Sequence, residues 1–412
     1  MCRRVSYQVH RYEIGGMKVQ VVEPLVLSGN LAIAYAVKQL DVDVVAAYPI
    51  TPQTTMVEKI SEYVAKGELR AKFMLVESEH SAISACLSAA ASGARVFTST
   101  SSQGLLLMHE ILFITSALRL PVVMAIANRA VSAPINIWND HGDIMPQRDT
   151  GWIQFFVESA QEAYDKIVQA YRIAEDDRVR LPIMVNIDGI VLSHTYEPIY
   201  PLSDFEVTSF SPWKLYPLRL DPDNPLTMGA FCYPDYYFEA RYQSSKALDD
   251  SLSIISEVDK DFGKLSGRSY GLASPFRCDD ADIILISMGS ISTTVRATVK
   301  KLREKGERVG MVSLRLFRPF PLDELIKSIK NAKAIGIVDR ALSPGAVAGP
   351  VFTDVTSALY QSKMNIPCIN FFVGVGGRDV SIKDIESIFH ELKEVAKTGL
   401  IKKRSYYIGL RE

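Results

Sequence analysis

Residues 44–65 read VVAAYPITPQTTMVEKISEYVA: an apolar run, a turn with two prolines, and then apolar residues at helical spacing. The run predicts a buried strand and the later segment predicts a helix. The same order repeats as far as residue 187. Strands are predicted over 44–47, 72–76, 95–98, 121–126 and 182–187, and helices over 53–65, 80–92, 105–118 and 159–174. Continuous apolar strands separated by helices are typical of a parallel sheet with helices on both faces, so we predict an α/β domain.

The alternation stops near Thr195. Seven prolines and several aromatic residues follow between Pro198 and Pro234. Proline disfavours helix interiors and central strands, and the segment is too apolar for a free linker. We therefore predict an extended arm, packed on its own domain or on a partner, and then a helix over about 238–262.

The alternation resumes at Asp282 and predicts a second, smaller α/β domain. Its strands are predicted over 283–287, 308–313, 334–338 and 368–373, and its helices over 293–305, 322–329 and 382–395. The predicted organisation is an N-terminal extension (1–22), a first domain (23–197), the arm with its connecting helix (198–270) and the second domain (271–412).

Composition excludes several classes of protein. The 412 residues include 46 Lys+Arg and 47 Asp+Glu, a formal net charge of −1, which argues against a nucleic-acid binder. The five cysteines, Cys2, Cys86, Cys232, Cys278 and Cys368, are scattered and form no C-x-x-C pair. This pattern argues against a disulfide scaffold and against a cysteine-ligated zinc or iron–sulfur site within the chain, and it suits the reducing cytoplasm.

No targeting or membrane segment is predicted. The most apolar stretch, residues 105–127, is interrupted by His109, Glu110 and Arg119, whereas a membrane span of about 20 residues carries few charges. The N-terminal arginines are not followed by the apolar region of a secretory signal. Met17 is an alternative to Met1 as the start of translation.

The common nucleotide and hydrolase motifs are also absent. The sequence contains no G-x-G-x-x-G, no Walker A loop, no H-E-x-x-H and no nucleophile elbow. These absences argue against a dinucleotide dehydrogenase, a nucleotidase, a zinc protease and an α/β-hydrolase.

The turn Tyr48-Pro49-Ile50-Thr51-Pro52 directly follows the first predicted strand. Ligands of parallel α/β sheets bind beyond the carboxyl ends of the strands, and the first amides of the next helix suit a small anion such as a carboxylate. The alternative is a stiff strand-to-helix turn with a solvent-facing threonine.

Glu77-Ser78-Glu79-His80 ends the next strand and opens a helix of mostly small residues. Acidic residues are favoured at helix N-termini, so capping explains at least one of these glutamates. The small residues would let another backbone or a flat cofactor approach closely. A single histidine is more often structural than catalytic, and we interpret His80 as structural.

Two polar segments follow the strand at 121–126. Arg129 could bind a carboxylate through two parallel hydrogen bonds, although a surface or interface ion pair is the commoner role of one arginine. In the loop 138–143, Asp140, His141 and Asp143 could ligate a metal, but their spacing is not specific and favours a hydrogen-bonded loop.

These motifs together resemble the alpha subunits of the multi-subunit archaeal and bacterial pyruvate:ferredoxin oxidoreductases, within the 2-oxoacid:ferredoxin oxidoreductase family. The matching stretches are AAYPITPQT, VESEHSAISAC, TSSQGLLLMHE, ANRAVSAPINIWNDHGD, QRDTGWIQFF, SMGSISTTV, LRLFRPFP and GVGGRDV. They run in family order from about Val22 to Val380. The resemblance therefore covers most of the chain apart from the N-terminus and the proline-rich arm.

The resemblance implies a thiamine-diphosphate-binding fold of the pyrimidine type, followed by a smaller domain like the C-terminal domain of transketolase. A beta subunit would supply the diphosphate half-site, Mg²⁺ and 4Fe-4S iron–sulfur clusters. In agreement, the G-D-G…N signature is absent, because Gly142-Asp143 is followed by Ile144 with no matching asparagine downstream. Gamma and delta subunits and ferredoxin are the other implied partners, with pyruvate and coenzyme A as substrates.

The resemblance also implies the site residues. Glu79 matches the catalytic glutamate that faces N1′ of the aminopyrimidine of thiamine diphosphate, and Tyr48, Pro49 and Ile50 belong to the same cofactor site. Thr51 and Arg129 match the residues that hold the 2-oxoacid carboxylate. No metal ligand and no catalytic role in the second domain are implied.

The implied reaction is the oxidative decarboxylation of pyruvate with coenzyme A to acetyl-CoA and CO₂, with the electrons passed to ferredoxin. Three alternatives stay open. The first is a sister enzyme for branched-chain, aryl or longer 2-oxoacids, since a pocket difference of one methylene shifts preference only about 10–200-fold. The others are a non-catalytic assembly subunit and a small-molecule binding module without a redox partner.

Overall fold

The computed structural model describes residues 10–14, 17–21 and 24–411. Cys2, the N-terminal arginines 3 and 4, and much of the predicted N-terminal extension lie outside these residues. Within the extension, strands β1 (His10–Ile14) and β2 (Met17–Val21) pair in antiparallel fashion.

The first part of the chain alternates strands and helices as predicted. Its strands are β3 (Leu25–Ser28), β4 (Val44–Ala47), β5 (Lys72–Leu75), β6 (Val96–Thr100), β7 (Val123–Asn128), β8 (Ile153–Phe156), β9 (Ile183–Asp188) and β10 (Tyr196–Ile199). Its helices are α1 (Gly29–Gln39), α2 (Thr54–Ala65), α3 (Glu79–Ala91), α4 (Ser102–Leu107), α5 (His109–Ala117), α6 (Ala160–Ala174), α7 (Val191–His194), α8 (Asp204–Phe210) and α9 (Pro234–Ser266).

The last part repeats the alternation. Its strands are β11 (Ala273–Phe276), β12 (Ile283–Met288), β13 (Val309–Leu314), β14 (Leu316–Arg318), β15 (Ala334–Asp339), β16 (Cys368–Val373) and β17 (Ser405–Ile408). Its helices are α10 (Ile291–Glu304), α11 (Leu322–Ile329), α12 (Pro350–Gln361) and α13 (Ile382–Thr398).

Two sheets organise the molecule. The first has the strand order β14-β8-β9-β7-β6-β4-β5 and is parallel except for β14. The second has the order β11-β13-β12-β15-β16-β17 and is parallel except for β11. A separate antiparallel pair joins β10 to β3. The predicted α/β class is therefore confirmed.

Helices cover both faces of the first sheet, as the apolar strands predict. In β7, Val123 and Ala125 point into a core shared with α1 and α6, whereas Met124 and Ile126 point into a core shared with α3 and α5. Successive side chains of a strand alternate between its two faces, so one apolar strand serves both cores. Ile284 of β12 also lies in the second core, which therefore joins the two sheets.

Several details differ from the predictions. The helix predicted over 105–118 is two helices, α4 and α5, that meet at Met108, and α9 is longer than predicted at both ends. Helix α1 was not predicted because its sequence GNLAIAYAVKQ is buried almost all round and shows little amphipathic period. The boundaries of the four segments stay predictions; β14 lies within 271–412 yet pairs with β8 of the first sheet.

The predicted arm is not extended throughout, because helix α8 occupies Asp204–Phe210, and it packs at least partly on the first domain. The amide of Leu220 donates to the carbonyl of Ala91 at 2.7 Å, and the buried guanidinium of Arg95 donates to the carbonyl of Pro212 at 3.0 Å. Within the described part of the chain, every helix is too short or too polar to serve as a transmembrane segment.

Candidate active site at the carboxyl edge of the first sheet

Glu79 is a buried carboxylate at the start of α3. Ser78 caps the helix by accepting a hydrogen bond from the amide of Ser81 at 3.2 Å, so Glu79 is the first helical residue. Its exposed fraction is 6%. Its carboxylate has no hydrogen-bond or ion-pair partner among residues 10–14, 17–21 and 24–411. The helix dipole favours a negative charge at this end. Even so, burying a carboxylate without a hydrogen-bond partner costs free energy, and such a group calls for an explanation such as a functional role.

Helix α4 approaches this carboxylate without a side chain between them. A Cβ added to Gly104 would lie 2.5 Å from Oε1 of Glu79 and would overlap Oγ1 of Thr100. Only glycine at this position leaves room for both groups. The hydroxyl of Thr100 is itself buried without a partner among the described residues, so two polar groups beside Gly104 lack a hydrogen-bond partner there.

Arg129 follows β7 at the same edge of the sheet and is 7% exposed. Three neutral acceptors hold its guanidinium: the carbonyl of Thr51 at 2.9 Å from Nη1, the carbonyl of Asn136 at 3.1 Å from Nε and Oε1 of Gln103 at 3.4 Å from Nη2. A guanidinium has five N–H groups, so one on each Nη is left without an acceptor among the described residues. Burial lowers the pKa of Arg129 and the nearby Asp143 opposes this, yet an arginine stays charged at neutral pH.

The turn at 48–52 lies beside this arginine. Gln53 is buried and donates from Nε2 to the carbonyl of Tyr48 at 3.0 Å, and Asn30 donates to the carbonyl of Pro52 at 2.7 Å. These bonds fix the backbone while Tyr48 and Thr51 keep their side chains exposed. The structure therefore brings Thr51 and Arg129 into contact through the Thr51 carbonyl.

Helix α4 connects the predicted residues. Gln103 contacts Arg129 and the adjacent Gly104 contacts Glu79. Tyr48, Pro49 and Ile50 occupy the turn that leads to Thr51, but none of the three forms a hydrogen bond with Glu79. Gln103, Gly104 and Thr100 were missed from the residues alone; the small and hydroxyl residues in TSTSSQG, at the end of β6, were the available signal.

Asp143 fixes the backbone beneath the site. Its carboxylate accepts hydrogen bonds from the amides of Arg129 at 2.9 Å and Ser102 at 3.0 Å, and from Nδ2 of Asn128 at 3.0 Å. Burial raises its pKa to about 6, although these hydrogen bonds oppose the shift. The side chain therefore connects the end of β7 with the start of α4.

The neighbouring residues of the 138–143 loop are also engaged in hydrogen bonds. Asp140 accepts from the amides of Gly142 and Gly376, at 2.5 and 3.0 Å. His141 bonds through Nε2 to Oδ1 of Asp188 at 2.8 Å. The described residues hold no group of three or more His, Cys, Asp or Glu side chains placed for a metal. The contacts favour the hydrogen-bonded loop over the metal site.

Asp188, at the end of β9, forms a buried ionic cluster between the two sheets. Besides His141, its carboxylate accepts from Nη1 of Arg340 and from the amide of Ser290, both at 2.7 Å. Burial alone would raise the pKa of Asp188, but Arg340 and His141 hold it well below its ordinary value.

Glu77 and His80, which flank Ser78 and Glu79 in the sequence, make local contacts. Glu77 accepts from the hydroxyl of Ser81, and this bond lowers the pKa of Glu77. Nε2 of His80 lies 3.8 Å from Oε2 of Glu110 in an exposed pair. This contact agrees with a structural interpretation of His80.

Comparison with known families assigns the chain to a class. A family model described as "Pyruvate flavodoxin/ferredoxin oxidoreductase, thiamine diP-bdg" matches residues 35–260, and "Pyruvate:ferredoxin oxidoreductase core domain II" matches residues 281–385. The fold and the match define a protein with a thiamine-diphosphate-binding domain. The chain belongs to the pyruvate flavodoxin/ferredoxin oxidoreductase family.

Individual relatives narrow the assignment. The chain is 47% identical to the pyruvate synthase subunit PorA of Methanosarcina barkeri over 94% of this chain and 97% of that protein. It is 44% identical to the Thermotoga maritima PorA subunit, over 95% and 100%. It is also 42% identical to the ketoisovalerate oxidoreductase subunit VorA of Pyrococcus horikoshii, over 94% and 98%.

Solved structures agree on the fold. The 2-oxoglutarate:ferredoxin oxidoreductase of Magnetococcus marinus superposes with a TM-score of 0.71 at 18% identity, over 91% of this chain and 65% of that chain. A split-gene transketolase superposes with a TM-score of 0.54 at 12% identity, over 90% and 99%. The second match agrees with the transketolase resemblance noted in the sequence.

Proposed function

We propose that this chain is the alpha subunit of a multi-subunit pyruvate:ferredoxin oxidoreductase, or pyruvate synthase, that is active only with its partner subunits. The reaction is the oxidative decarboxylation of pyruvate with coenzyme A to acetyl-CoA and CO₂, with electrons passed to ferredoxin. The observation that carries the proposal is Glu79, a buried carboxylate with no partner in the described chain, in a chain with a thiamine-diphosphate-binding domain.

The residues around Glu79 fit the aminopyrimidine of thiamine diphosphate. A buried carboxyl group can accept a hydrogen bond from a protonated ring nitrogen, or donate its own proton to an unprotonated one. Gly104 places no side chain against the Oε1 atom of Glu79. When bound, the cofactor supplies the electron sink for cleavage of the bond between the carbonyl carbon and the carboxylate of a 2-oxoacid. Glu79, whose exposed fraction is 6%, holds or releases a proton at Oε1.

Arg129 and Thr51 bind the carboxylate of the substrate. The two N–H groups of Arg129 that lack an acceptor in the described chain suit the two oxygens of a carboxylate. The Thr51 hydroxyl adds one donor, because its side chain is exposed at the same edge while its carbonyl holds Arg129. Tyr48, Pro49 and Ile50 form the wall of the cofactor site on this side.

Partner chains supply the rest of the active site. The beta subunit carries the diphosphate half-site with Mg²⁺ and an iron–sulfur cluster, and gamma and delta subunits and ferredoxin complete the electron path in the cytoplasm. Leu75, Leu107 and Ile135 support a covering partner, since these large apolar side chains are exposed on or next to the segments that carry the site. The four cysteines in the described residues are free and scattered, which supports clusters held elsewhere.

A second candidate is a sister oxidoreductase for branched-chain 2-oxoacids. The 42% identity with a ketoisovalerate oxidoreductase subunit supports this second candidate, because the value is close to the identities with the pyruvate synthase subunits. A non-catalytic assembly subunit is disfavoured by the unpartnered Glu79 and the free donors of Arg129, which an assembly role does not require.

The test is an anaerobic purification of the native complex through a tag on this chain. We expect smaller chains to co-purify and to give pyruvate- and coenzyme-A-dependent reduction of a viologen dye. The same assay with 3-methyl-2-oxobutanoate in place of pyruvate tests the second candidate, because the two rates show which 2-oxoacid is preferred. A colourless, inactive chain that recruits nothing would refute the proposal.

A further inference from the structure

A glycine-rich turn of the second domain contacts the loop that follows Arg129. The turn, residues 374–377, comes directly after β16. Asn136 donates from Nδ2 to the carbonyl of Gly376 at 2.9 Å, and the amide of Gly376 donates to Oδ2 of Asp140 at 3.0 Å. The turn therefore holds the 132–140 loop at two points.

The close approach requires glycine. Gly377 has a φ of +76°, and a Cβ added to it would overlap Cβ of Trp138 and lie 2.9 Å from its Cγ. A Cβ on Gly376, whose φ is +63°, would lie 2.9 Å from Nδ2 of Asn136. The position of the loop relative to the turn thus depends on the absence of side chains at these two residues.

The same loop holds the guanidinium of Arg129. The carbonyl of Asn136 accepts from Nε of Arg129 at 3.1 Å, and the side-chain oxygen of Asn136 accepts from the amide of Trp138 at 2.7 Å. The carbonyl of Trp138 accepts from the amide of Ala130 at 3.0 Å. Asn136 therefore contacts the turn through its side chain and Arg129 through its backbone.

We infer that the glycine-rich turn of the second domain is a positioning element for Arg129, acting through Asn136 and Trp138. The inference rests on the proposed function, in which Arg129 binds the carboxylate of the 2-oxoacid. The bond to Nε fixes the plane of the guanidinium and so the direction of its two free N–H groups. A displacement of about 1 Å in such a site can cost about 100-fold in rate, so the second domain contributes to substrate binding as well as to packing.

Two glycines of the second domain provide a matched pair of variants. Gly377→Ala adds a methyl group against Trp138, whereas Gly399, with a φ of +71°, has no heavy atom of the described residues within 4 Å of an added Cβ. Both substitutions carry the same backbone cost of a left-handed conformation. Only Gly377→Ala moves the 132–140 loop. The difference in kinetic constants between the two variants therefore measures how far the turn positions Arg129.

In the purified complex we expect Gly377→Ala to raise KM for pyruvate and to lower kcat/KM about 10- to 100-fold. KM for coenzyme A stays unchanged, and Gly399→Ala matches the wild type in both constants. Asn136→Ala keeps the carbonyl but loses the side-chain bonds to Gly376 and to the amide of Trp138, so KM for pyruvate rises at least about 2- to 10-fold, the equivalent of one neutral hydrogen bond. In an Arg129→Lys background, which lacks Nε, Gly377→Ala adds little further change.

Equal constants for the two glycine variants, or full additivity of Gly377→Ala with Arg129→Lys, would overturn the inference while leaving the proposed function intact. If Gly377→Ala fails to assemble, Asn136→Ala decides, and an unchanged KM for pyruvate refutes the inference. A wild-type complex that turns over no 2-oxoacid refutes the proposed function itself, and the positioning role falls with it.

Discussion

Two buried arginines follow parallel strands of the molecule, and their surroundings differ. Arg129 follows β7 and Arg340 follows β15, with exposed fractions of 7% and 6%. Arg340 is neutralised by Asp188 at 2.7 Å, whereas within the described part of the chain the guanidinium of Arg129 meets only the neutral acceptors of Thr51, Asn136 and Gln103. Burial is the same for both side chains, and only the partner distinguishes them.

The nearby carboxylates repeat this difference. Asp188 accepts hydrogen bonds from Arg340 and from the amide of Ser290, and it bonds to His141, whereas Glu79 has no partner in the described part of the chain. A buried charge that is fully paired maintains the structure, whereas an unpaired buried charge is the feature expected of a ligand-binding site. The comparison therefore distinguishes the candidate site from the domain interface: the buried charges of the interface are paired, and those of the candidate site are not.

The largest expected effect is that of Glu79→Gln. The amide keeps the shape of the side chain but cannot exchange a proton with a ring nitrogen, so we expect kcat to fall roughly 10²- to 10⁴-fold. Because no partner is lost, the melting temperature of the complex stays the same or rises. A viologen-reduction assay and a thermal unfolding curve measure the two quantities. Unchanged turnover would remove Glu79 from the site.

Asp188→Asn, in contrast, is expected to lower the stability of the fold. It leaves Arg340 buried without its counter-charge, which costs about 3–5 kcal/mol in the free energy of unfolding. Urea unfolding of the purified chain measures this loss. The double variant Asp188→Asn with Arg340→Met serves as the control, and it should lose less than the sum of the single variants. A stability within 1 kcal/mol of the wild type, on the scale of an ordinary surface substitution, would contradict the structural role.

Arg129→Lys is expected to have a smaller effect, confined to binding. Lysine keeps the charge but loses the two parallel donors, so KM for pyruvate should rise about 10- to 100-fold, the equivalent of one charge-assisted hydrogen bond. KM for coenzyme A is the internal control. Arg340→Lys provides the matched comparison, since it should lower stability and leave KM for pyruvate unchanged. Equal effects of the two substitutions on KM would break the distinction between the arginines.

The smallest effect concerns pH. The pKa of Asp188 is lowered in the folded chain, so the carboxylate stabilises the fold fully above the unfolded pKa of about 4 and loses this contribution as pH falls toward the folded pKa. The stability difference between wild type and Asp188→Asn should therefore be constant from pH 7 to about 5 and shrink below about pH 4. Urea unfolding across this range measures it. A difference that grows on acidification would contradict the assignment.

The sequence predicted the architecture better than the contacts. β4 and β16 have the predicted bounds because apolar runs in a parallel sheet are buried on both faces. Helix α1 was missed because it is apolar nearly all round, and β14 because three residues acquire strand structure only by pairing with β8. Glu79, Thr51 and Arg129 were found as motifs, and their roles stay predictions.

Local sequence determined the alternation of strands and helices, the family and the residue types at the carboxyl edge of the sheet, because these depend on neighbours along the chain. Tertiary structure alone decided which charges are paired. Gly104 reaches Glu79, and Gly376 reaches Asn136, across many intervening residues. Such contacts depend on how sheets and loops pack, so no local pattern could distinguish Arg129 from Arg340 or reveal that a turn of the second domain holds the loop beside Arg129.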